Sequence, residues 1–555
     1  MSWGSRGTDS VFSLLKVVVI AAVLMMAGVS AATARIWYVR ADGGTAAQCN
    51  GTANASVSHR PNCAWRAPTI ALPMGNSEYG GVIPQPLIRS GDTLVIGPGS
   101  YMVGLGAPGN AGNICAAGQP YECVIASIPS GIDAAHPTVV TGDCASRPEL
   151  WGKGGLHGLF WLRGVHDIRI ACLEITDHSV CIMNYGPTSA NGGVVPCRKN
   201  SEDPFAVDGI EAVDVTNLAL DSLFIHGFAQ YGIVAGQLHG HTQVDDVTIR
   251  ANGWGGWNGD LSGLGAAGGS GNDGTLTFNK LEVEWNGCSE AYPAATIVGC
   301  WGQSNGGYGD GLGTATTGGD WTFNGARFIQ NTSDGLDLLY HSMGGTTTIN
   351  GGVFGGNIGN QIKVAGNAVI ENAVVNGMCN NFDGFPVGGA GGNDSNDCRA
   401  AGTAVVMAQT AANQTSLLRY DTITGNGDTL LVGGGDHARD GSHYTPDGTN
   451  AWVYENNIFL GQPSAYRSGL TALDWYSDGA FGGTVKYFNN IVWNVKRDRC
   501  PGGSICADPR LQDSTPKHFN PALLPGSPAA GAARRNGKPT RPANIGAVQQ
   551  APRRG

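Results

Sequence analysis

The sequence predicts an all-β fold, a right-handed parallel β-helix, on three observations. Segments of roughly two dozen residues recur without helical periodicity, as in the coil starts Asp310-Gly-Leu-Gly-Thr and Asp334-Gly-Leu-Asp-Leu. Glycine accounts for 88 of the 555 residues and charged residues for only 14%, which favours short strands and tight turns over helices. Fourteen cysteines, mostly close neighbours in sequence, indicate local disulfides.

Each repeat reads as a Gly-containing start, an apolar strand, a polar turn and a second strand, such as Val247-Thr-Ile-Arg or Trp321-Thr-Phe-Asn. A unit of this size can bury its apolar face only against its neighbours. The spacing of leucine-rich repeats is missing, and hairpin turns are too scarce for a β-sandwich. We expect an N-terminal cap and disulfide loop at 35–93, the parallel β-helix at 94–495 and a C-terminal capping tail at 496–555. Gly-rich excursions are expected to form lateral loops.

The first 34 residues predict a secretory signal peptide. Arg6 and Lys16 precede an apolar run, Val17 to Val29, and small residues follow at Ala32-Thr33-Ala34. The run is shorter than the ~20 residues that a spanning helix needs, so a membrane anchor is the weaker interpretation. We therefore expect a secreted protein, outside the cell, in the periplasm or at the cell surface, with no membrane span after cleavage.

The cysteines fit export, because all of them follow Ala34 and their number is even. Spacing alone does not fix their connectivity; pairing of sequence neighbours is the simplest arrangement. The neighbours are Cys49/Cys63, Cys115/Cys123, Cys181/Cys197, Cys288/Cys300, Cys379/Cys398 and Cys500/Cys506, which leaves Cys144 and Cys172. Metal binding by thiolates is disfavoured because no Cys-x-x-Cys pair occurs.

The net charge of −10 argues against nucleic acid as a partner. An acidic substrate would have to be held locally, by a cation or by a few basic side chains. We expect the protein to act as a monomer.

Four charged residues fall into register when the coil starts are aligned. Asp310 and Asp334 occupy the same column, 24 residues apart, and Asp337 and Lys363 share the column three residues further on, 26 residues apart. Neighbouring strands lie about 4.8 Å apart, so the three carboxylates would form a hard-oxygen cluster of the kind that Ca²⁺ binds. Lys363 would lie one coil away.

These residue types suit β-elimination in a uronic-acid polymer. That reaction removes the proton on C5, which becomes acidic once the charge of the neighbouring carboxylate is neutralised by a cation. A basic side chain takes the proton, and lysine serves if its pKa is lowered by a nearby cation or by desolvation.

The segments Ser333-Asp-Gly-Leu-Asp337 and Gly359-Asn-Gln-Ile-Lys363-Val-Ala-Gly resemble the signature of family 9 polysaccharide lyases, Ca²⁺-dependent pectate lyases and relatives. The resemblance implies that Asp310, Asp334 and Asp337 bind Ca²⁺ and that Lys363 is the catalytic base, acting on an acidic polysaccharide. Ser333 departs from the family, which usually has an Asp there, and this puts the strength of the Ca²⁺ site in doubt. The tail, with Asn544-Ile-Gly-Ala-Val, resembles the end of secreted β-helix proteins of the polysaccharide-lyase type.

Other interpretations of these residues stay open. Asp before Gly is a common turn residue, so Asp310 and Asp334 could bond backbone amides at a corner, and Asp337 with Lys363 could be an ion pair. Side chains on neighbouring coils are candidates for substrate binding by stacking on sugars: Trp301, Tyr308, Tyr340 and His341. The alternative function is a non-catalytic β-helix adhesin or glycan-binding surface protein.

Overall fold

Consecutive coils of the chain stack so that most strands pair in parallel with the strand one coil further on. A computed structural model of the protein describes residues 34–76, 84–104, 106–108, 123–125, 127–153, 156–183, 195–197, 205–259, 271–301, 309–379, 387–388, 399–465, 467–476 and 482–548. Residues 36–555 form one unit, and residues 1–35 form another, of which only Ala34 and Arg35 are described. The predicted signal peptide therefore lies outside the described residues, apart from Ala34.

The strands form three faces of a right-handed parallel β-helix, as the sequence predicts. Face 1 contains Cys123–Ile125, Gly255–Gly259, Leu312–Thr314, Leu336–Leu338, Ile362–Ala365, Val405–Gln409, Thr429–Gly435 and Ala472–Tyr476. Face 2 contains Ile36–Gly44, Thr93–Ile96, Thr138–Thr141, Thr275–Asn279, Asp320–Asn324, Thr346–Asn350, Asn367–Glu371, Thr415–Arg419, Ala451–Glu455 and Thr484–Phe488. Face 3 contains Ser100–Gly104, Glu149–Lys153, Glu174–Asp177, Phe224–His226, Thr248–Arg250, Glu282–Glu284, Arg327–Ile329, Val353–Gly355, Val374–Gly377, Thr422–Gly425, Ile458–Gly461 and Ile491–Trp493.

Three long strands belong to both face 1 and face 2: Leu156–Ala171, Ala206–Asp221 and Tyr231–Asp245. Met74–Asn76 pairs with Cys123–Ile125 in the antiparallel sense. Shorter pieces lie beside the coils: the strands Cys181–Ile182, Val195–Pro196, Cys288–Ala291, Thr296–Trp301, Val387–Gly388, Leu511–Asp513, Asn520–Leu523, Arg534–Arg535 and Lys538–Pro539, the α-helix Pro68–Ala71, and the 3₁₀ turns Val57–His59, Arg399–Gly402, Lys496–Asp498 and Pro516–His518. Among the described residues there is no helix long and apolar enough to cross a bilayer.

The prediction of two strands per coil was wrong, because a third strand follows the second after a corner of only two residues. Val247-Thr-Ile-Arg, predicted as a second strand, contains the third strand Thr248–Arg250 of its coil. The first residue of this corner has a left-handed conformation in coil after coil, as at Gly325 (φ 63°), Gly351 (φ 71°), Asn372 (φ 59°) and Asn456 (φ 58°). Glycine and asparagine adopt this conformation at the lowest cost, but Ser222, Asp246, Lys280 and Tyr420 adopt it at the same corner position in other coils. Ten of the twelve described face 3 strands have only three or four residues, too few to show a periodicity of their own.

The core of the solenoid is a continuous apolar column. Inward side chains alternate with outward ones along each strand, so Leu336 and Leu338 are buried while Asp337 between them faces outward. Like residues stack from coil to coil, as Phe278 does on Phe323 with ring centroids 4.7 Å apart. Stacking of this kind buries each coil only against its neighbours, as expected of a solenoid.

Both ends of the chain pack on the coils. The strand Ile36–Gly44 pairs in parallel with Thr93–Ile96, so part of the predicted cap continues face 2. The tail runs back along face 3, where Ile545 packs in a small core with Ile458 and Ile491. The boundaries 35–93, 94–495 and 496–555 stay predictions.

Four of the predicted pairs of sequence neighbours are disulfides: Cys49–Cys63, Cys181–Cys197, Cys288–Cys300 and Cys500–Cys506. The two cysteines that remained, Cys144 and Cys172, pair with each other. Cys123 and Cys379 are also disulfide-bonded, but their predicted partners Cys115 and Cys398 lie outside the described residues.

Candidate functional site

The predicted coil starts lie directly before neighbouring strands of face 1. Asp310 precedes Leu312–Thr314, and Asp334 precedes Leu336–Leu338. The glycine after each aspartate is required by close stacking, because a Cβ on Gly311 would lie 2.5 Å from the carbonyl oxygen of Gly335. The Asp-Gly pair therefore brings the two carboxylates into adjacent coils.

Each of these carboxylates accepts a backbone hydrogen bond from the next coil. The Asp334 N–H donates to Asp310 Oδ1 at 2.9 Å, and the Asn360 N–H donates to Asp334 Oδ1 at 2.6 Å. The hydroxyl of Ser333 donates to Asp310 as well. Asp310 and Asp334 thus do bond backbone amides at a corner, as the alternative interpretation proposed. These bonds fix both carboxylates in position and leave oxygens of the cluster available for a cation.

Asp337 and Lys363 are directly opposite in the register of face 1. The flanking Ile362 and Val364 point into the core, so the Lys363 side chain projects from the outer surface. Its Nζ donates to Asp337 Oδ2 at 2.7 Å and to Asp334 Oδ2 at 2.9 Å. The structure therefore brings all four predicted residues together.

The electrostatics of the cluster favour a protonated lysine. Burial lowers the pKa of Lys363, but the negative charges of Asp334, Asp337 and Asp310 outweigh it and raise the pKa above the ordinary value. Burial raises the pKa of Asp337 despite the attraction of Lys363, and Asp334 and Asp310 raise it further. Lys363 thus partly neutralises three carboxylates that repel one another.

The three aspartates also form a candidate metal centre. One oxygen from each lies within 4.8 Å of the others, and Asp310 and Asp334 are buried while Asp337 is partly buried. Carboxylate oxygens at this separation suit Ca²⁺, which takes six to eight oxygen ligands and accepts carbonyls and waters for the remainder. The donor set fits the predicted cation, with Ser333 adding no charge.

The outward row that contains Lys363 continues along face 1 towards the C-terminal coils. The residues opposite one another are, in order, Lys363, Val406, Val432 and Trp475. They line a groove with a volume of about 590 Å³. Its rim includes Arg467, which forms a salt bridge with Asp428 at 3.0 Å, and Lys496. Sequence reasoning missed this half of the groove.

In the opposite direction the same row reaches an acidic group. Glu211 belongs to this row, because Gly313 is opposite Asn258, Asn258 is opposite Val234, and Val234 is opposite Glu211. Glu211 forms a salt bridge with Arg163. His157 Nε2 lies 3.9 Å from Glu211 Oε2 and 4.0 Å from Asp208 Oδ2. Burial raises the pKa of both Asp208 and Glu211. The spacing Asp208-Gly-Ile-Glu211 matches Asp334-Gly-Leu-Asp337, and this repeated carboxylate spacing was the signal that could have found the group.

The residues predicted to bind substrate by stacking have different positions. Tyr340 is 38% exposed and lies beside the ring of His437, with centroids 5.7 Å apart. His341 is 2% exposed, and its Nε2 lies 2.9 Å from the carbonyl oxygen of Gly319, so its ring belongs to the interior and does not reach the groove. Tyr308 and the side chain of Trp301 lie outside the described residues.

Several solved structures resemble this chain in fold. Pectate lyase Pel9A shares 13% identity over 95% of this chain and 98% of that chain, with a TM-score of 0.42. The A-module of the Azotobacter vinelandii mannuronan C-5 epimerase AlgE6 shares 13% identity over 75% of this chain and 91% of that chain, with a TM-score of 0.33. The PL6 family alginate lyase AlyGC shares 14% identity over 80% of this chain and 53% of that chain, with a TM-score of 0.32.

These TM-scores are below 0.5, so the likenesses carry no argument about chemistry. Comparison of the sequence with protein-family models and with curated proteins gives no match. What this chain can do chemically therefore has to follow from its own side chains.

Proposed function

We propose that this protein is a polysaccharide lyase that cleaves a uronic-acid glycan by β-elimination, with Lys363 as the base and Ca²⁺ held by Asp310, Asp334 and Asp337. One observation carries the proposal: a lysine on the outer surface of face 1 lies within 3 Å of two carboxylates of a three-carboxylate cluster. An ion pair alone needs only one carboxylate. Three carboxylates together suit a site in which Ca²⁺ can take the place of the Lys363 ammonium group.

In the proposed reaction, Lys363 Nζ takes the proton from C5 of the uronic-acid unit. The electrons of the C5–H bond form the C4–C5 double bond as the bond from C4 to the glycosidic oxygen breaks. The leaving oxygen takes a proton from solvent, and Lys363 later returns its own proton to solvent. The products are an unsaturated uronate and a shortened glycan.

Lys363 accepts a proton only in its neutral form, whereas the carboxylates around it favour the ammonium form. When bound, Ca²⁺ would supply positive charge that offsets these carboxylates and the carboxylate of the sugar. Asp310 and Asp334 are held by backbone amides of the next coil, so their oxygens stay in position when Lys363 moves towards the substrate.

The proposed place of action is outside the cytoplasm. The disulfides within residues 36–555 are typical of proteins that fold in oxidising compartments. We propose that residues 1–34 direct export and are removed, and that the mature protein acts as a monomer on an acidic polysaccharide.

The test is an assay on polygalacturonate, alginate and related polyuronates, with Ca²⁺ or with a chelator, in which ultraviolet absorbance reports unsaturated products. We expect Lys363→Ala to abolish product formation, a loss of about a thousandfold or more for a general base with no substitute. The matched control is Lys486→Ala, which removes an exposed lysine from face 2. Activity that survives Lys363→Ala contradicts the proposal.

Ca²⁺ binding has a separate readout in isothermal titration of the chelated protein. We expect Asp337→Asn to weaken Ca²⁺ binding by more than Asp42→Asn, a substitution on the surface near the N-terminus. Binding of polyuronates without product formation from any of them would favour the alternative function, a non-catalytic glycan-binding protein.

A further inference from the structure

The groove that leads from Lys363 to Trp475 is continuous and regular. Lys363, Val406, Val432 and Trp475 are consecutive partners in the register of face 1. Three spacings of about 4.8 Å separate the first from the last, so the row spans about 14 Å. This length accommodates several linked sugar units rather than one.

The floor of the groove is apolar, and its far end is aromatic. Val406 and Val432 present small side chains, and the indole of Trp475 is 57% exposed. A large aromatic side chain left in solvent beside a concave surface is typical of a binding site. The flat indole face matches the apolar C–H face of a pyranose ring.

The lining carries three cations, Lys363, Arg467 and Lys496, and two carboxylates, Asp428 and Asp474, of which Asp474 pairs with Arg499. The salt bridge to Asp428 holds Arg467 beside the cavity, where both residues are part of the lining. Lys496 lines the same cavity, and none of the described carboxylates pairs with its ammonium group. Guanidinium and ammonium groups bind carboxylates through charge-assisted hydrogen bonds.

The other end of the row does not suit an acidic chain. Asp208 and Glu211 place carboxylates there, and Arg163 is already paired with Glu211. Lys496, in contrast, has no carboxylate partner among the described residues, so a polymer with a carboxylate on each sugar unit is attracted towards the end that holds Lys496 and Arg467.

We infer that Trp475, Arg467 and Lys496 form a distal binding subsite for a polyuronate, in which the indole stacks on a sugar ring and the two cations bind sugar carboxylates. This inference rests on the proposed function for the class of substrate. It adds that the glycan extends from Lys363 towards the C-terminal coils and that affinity depends on occupying the far end.

The experiment measures binding without turnover, in the Lys363→Ala background. Size-defined oligogalacturonates and oligoalginates are titrated with Ca²⁺ present, and indole fluorescence and calorimetry report binding. We expect Trp475→Ala to weaken binding by about tenfold or more, and the double variant Arg467→Ala/Lys496→Ala to weaken it by about tenfold and to reduce its salt dependence. Oligomers too short to span the row are expected to be insensitive to both changes.

The controls are matched by residue type. Trp493→Ala removes a tryptophan that is 43% exposed on face 3, and Lys486→Ala removes an exposed lysine on face 2. Trp475→Phe keeps an aromatic face and is expected to retain most of the affinity, which separates stacking from misfolding. An unchanged affinity of long oligomers in the Trp475 and Arg467/Lys496 variants, or no binding of any polyuronate, overturns the inference.

The two proposals fail separately. Binding that depends on Trp475, without cleavage of any polyuronate by the unmodified protein, leaves the subsite standing and defeats the lyase. Cleavage that requires Lys363 but is indifferent to Trp475 defeats the subsite and leaves the lyase standing.

Discussion

Asp177 lies at the end of a face 3 strand with its carboxylate buried. It accepts hydrogen bonds from the Ser179 hydroxyl at 2.7 Å and from the Ala206 N–H at 3.0 Å. Burial nevertheless raises its pKa to about 7. A single residue thus links the stability of this region to pH.

The sign of that link follows from proton binding. The folded state keeps a proton on Asp177 at pH values where the unfolded chain has lost it, so stability falls as pH rises from about 4 to about 7. Across this range the free energy of unfolding falls by roughly 4 kcal/mol, since each unit of difference between the folded and unfolded pKa is worth about 1.36 kcal/mol. We expect Asp177→Asn to reduce the difference in melting temperature between pH 5 and pH 8. The control Asp214→Asn, at an exposed aspartate, should leave that difference unchanged. If Asp177→Asn shows the same difference in melting temperature as the control and the unmodified protein, Asp177 does not link stability to pH.

The four residues of the candidate site were predictable because the coils between them are regular. Intervals of 24 and 26 residues, without insertions, put Asp310 beside Asp334 and Asp337 beside Lys363. The far end of the groove was not predictable in this way. Val406 follows Lys363, and Trp475 follows Val432, only after 43 residues, because excursions interrupt both coils. The interior position of His341 depends on a turn that spacing does not describe.

A ladder of asparagines connects four coils at the corner between face 3 and face 1. Asn252 Nδ2 donates to Asn286 Oδ1, and Asn286 Nδ2 to Asn331 Oδ1, both at 2.9 Å. Asn331 Nδ2 then donates to Asn357 Oδ1 at 2.8 Å. All four are buried, and the ladder lies directly beside the coil starts that hold Asp310 and Asp334. It couples the coils that must stay in register for the site to exist.

We expect Asn331→Ala to lower the stability of the fold by about 3 kcal/mol or more, because several buried donors and acceptors lose their partner at once. The matched control is Asn350→Ala. Asn350 belongs to a second, exposed ladder on face 2, where it donates to Asn324 at 2.8 Å, and water can replace that bond. Thermal unfolding followed by circular dichroism checks the pair. Equal losses in the two variants would mean that the buried ladder is not a special source of stability.

At the scale of the whole molecule, the C-terminal tail packs against the coils along face 3. The Gly546 N–H donates to the Asn456 carbonyl at 2.8 Å, and the Ala547 N–H donates to the Thr422 hydroxyl at 3.0 Å. Gly546 has φ 89°, and a Cβ there would lie 2.7 Å from Ile458, so only glycine fits. The sequence predicted a capping tail, but its path along face 3 depends on contacts between residues far apart in the chain.

Ile545 tests the docking of the tail. It is fully buried against face 3, and we expect Ile545→Ala to cost roughly 2 to 5 kcal/mol. Leu524→Ala, at a tail residue that is 40% exposed, is the control. Thermal unfolding and binding of a hydrophobic dye would report the change. A variant that melts with the unmodified protein would show that the tail contributes little to the fold.

The regular spacing of face 1 strands has a consequence for how such a groove changes over time. Distances along it come in whole steps of about 4.8 Å, so Trp475 moves relative to Lys363 only when an entire coil is gained or lost between them. A duplication of one repeat between Lys363 and Trp475 would therefore lengthen the groove by one such step without altering Lys363 or the carboxylates beside it.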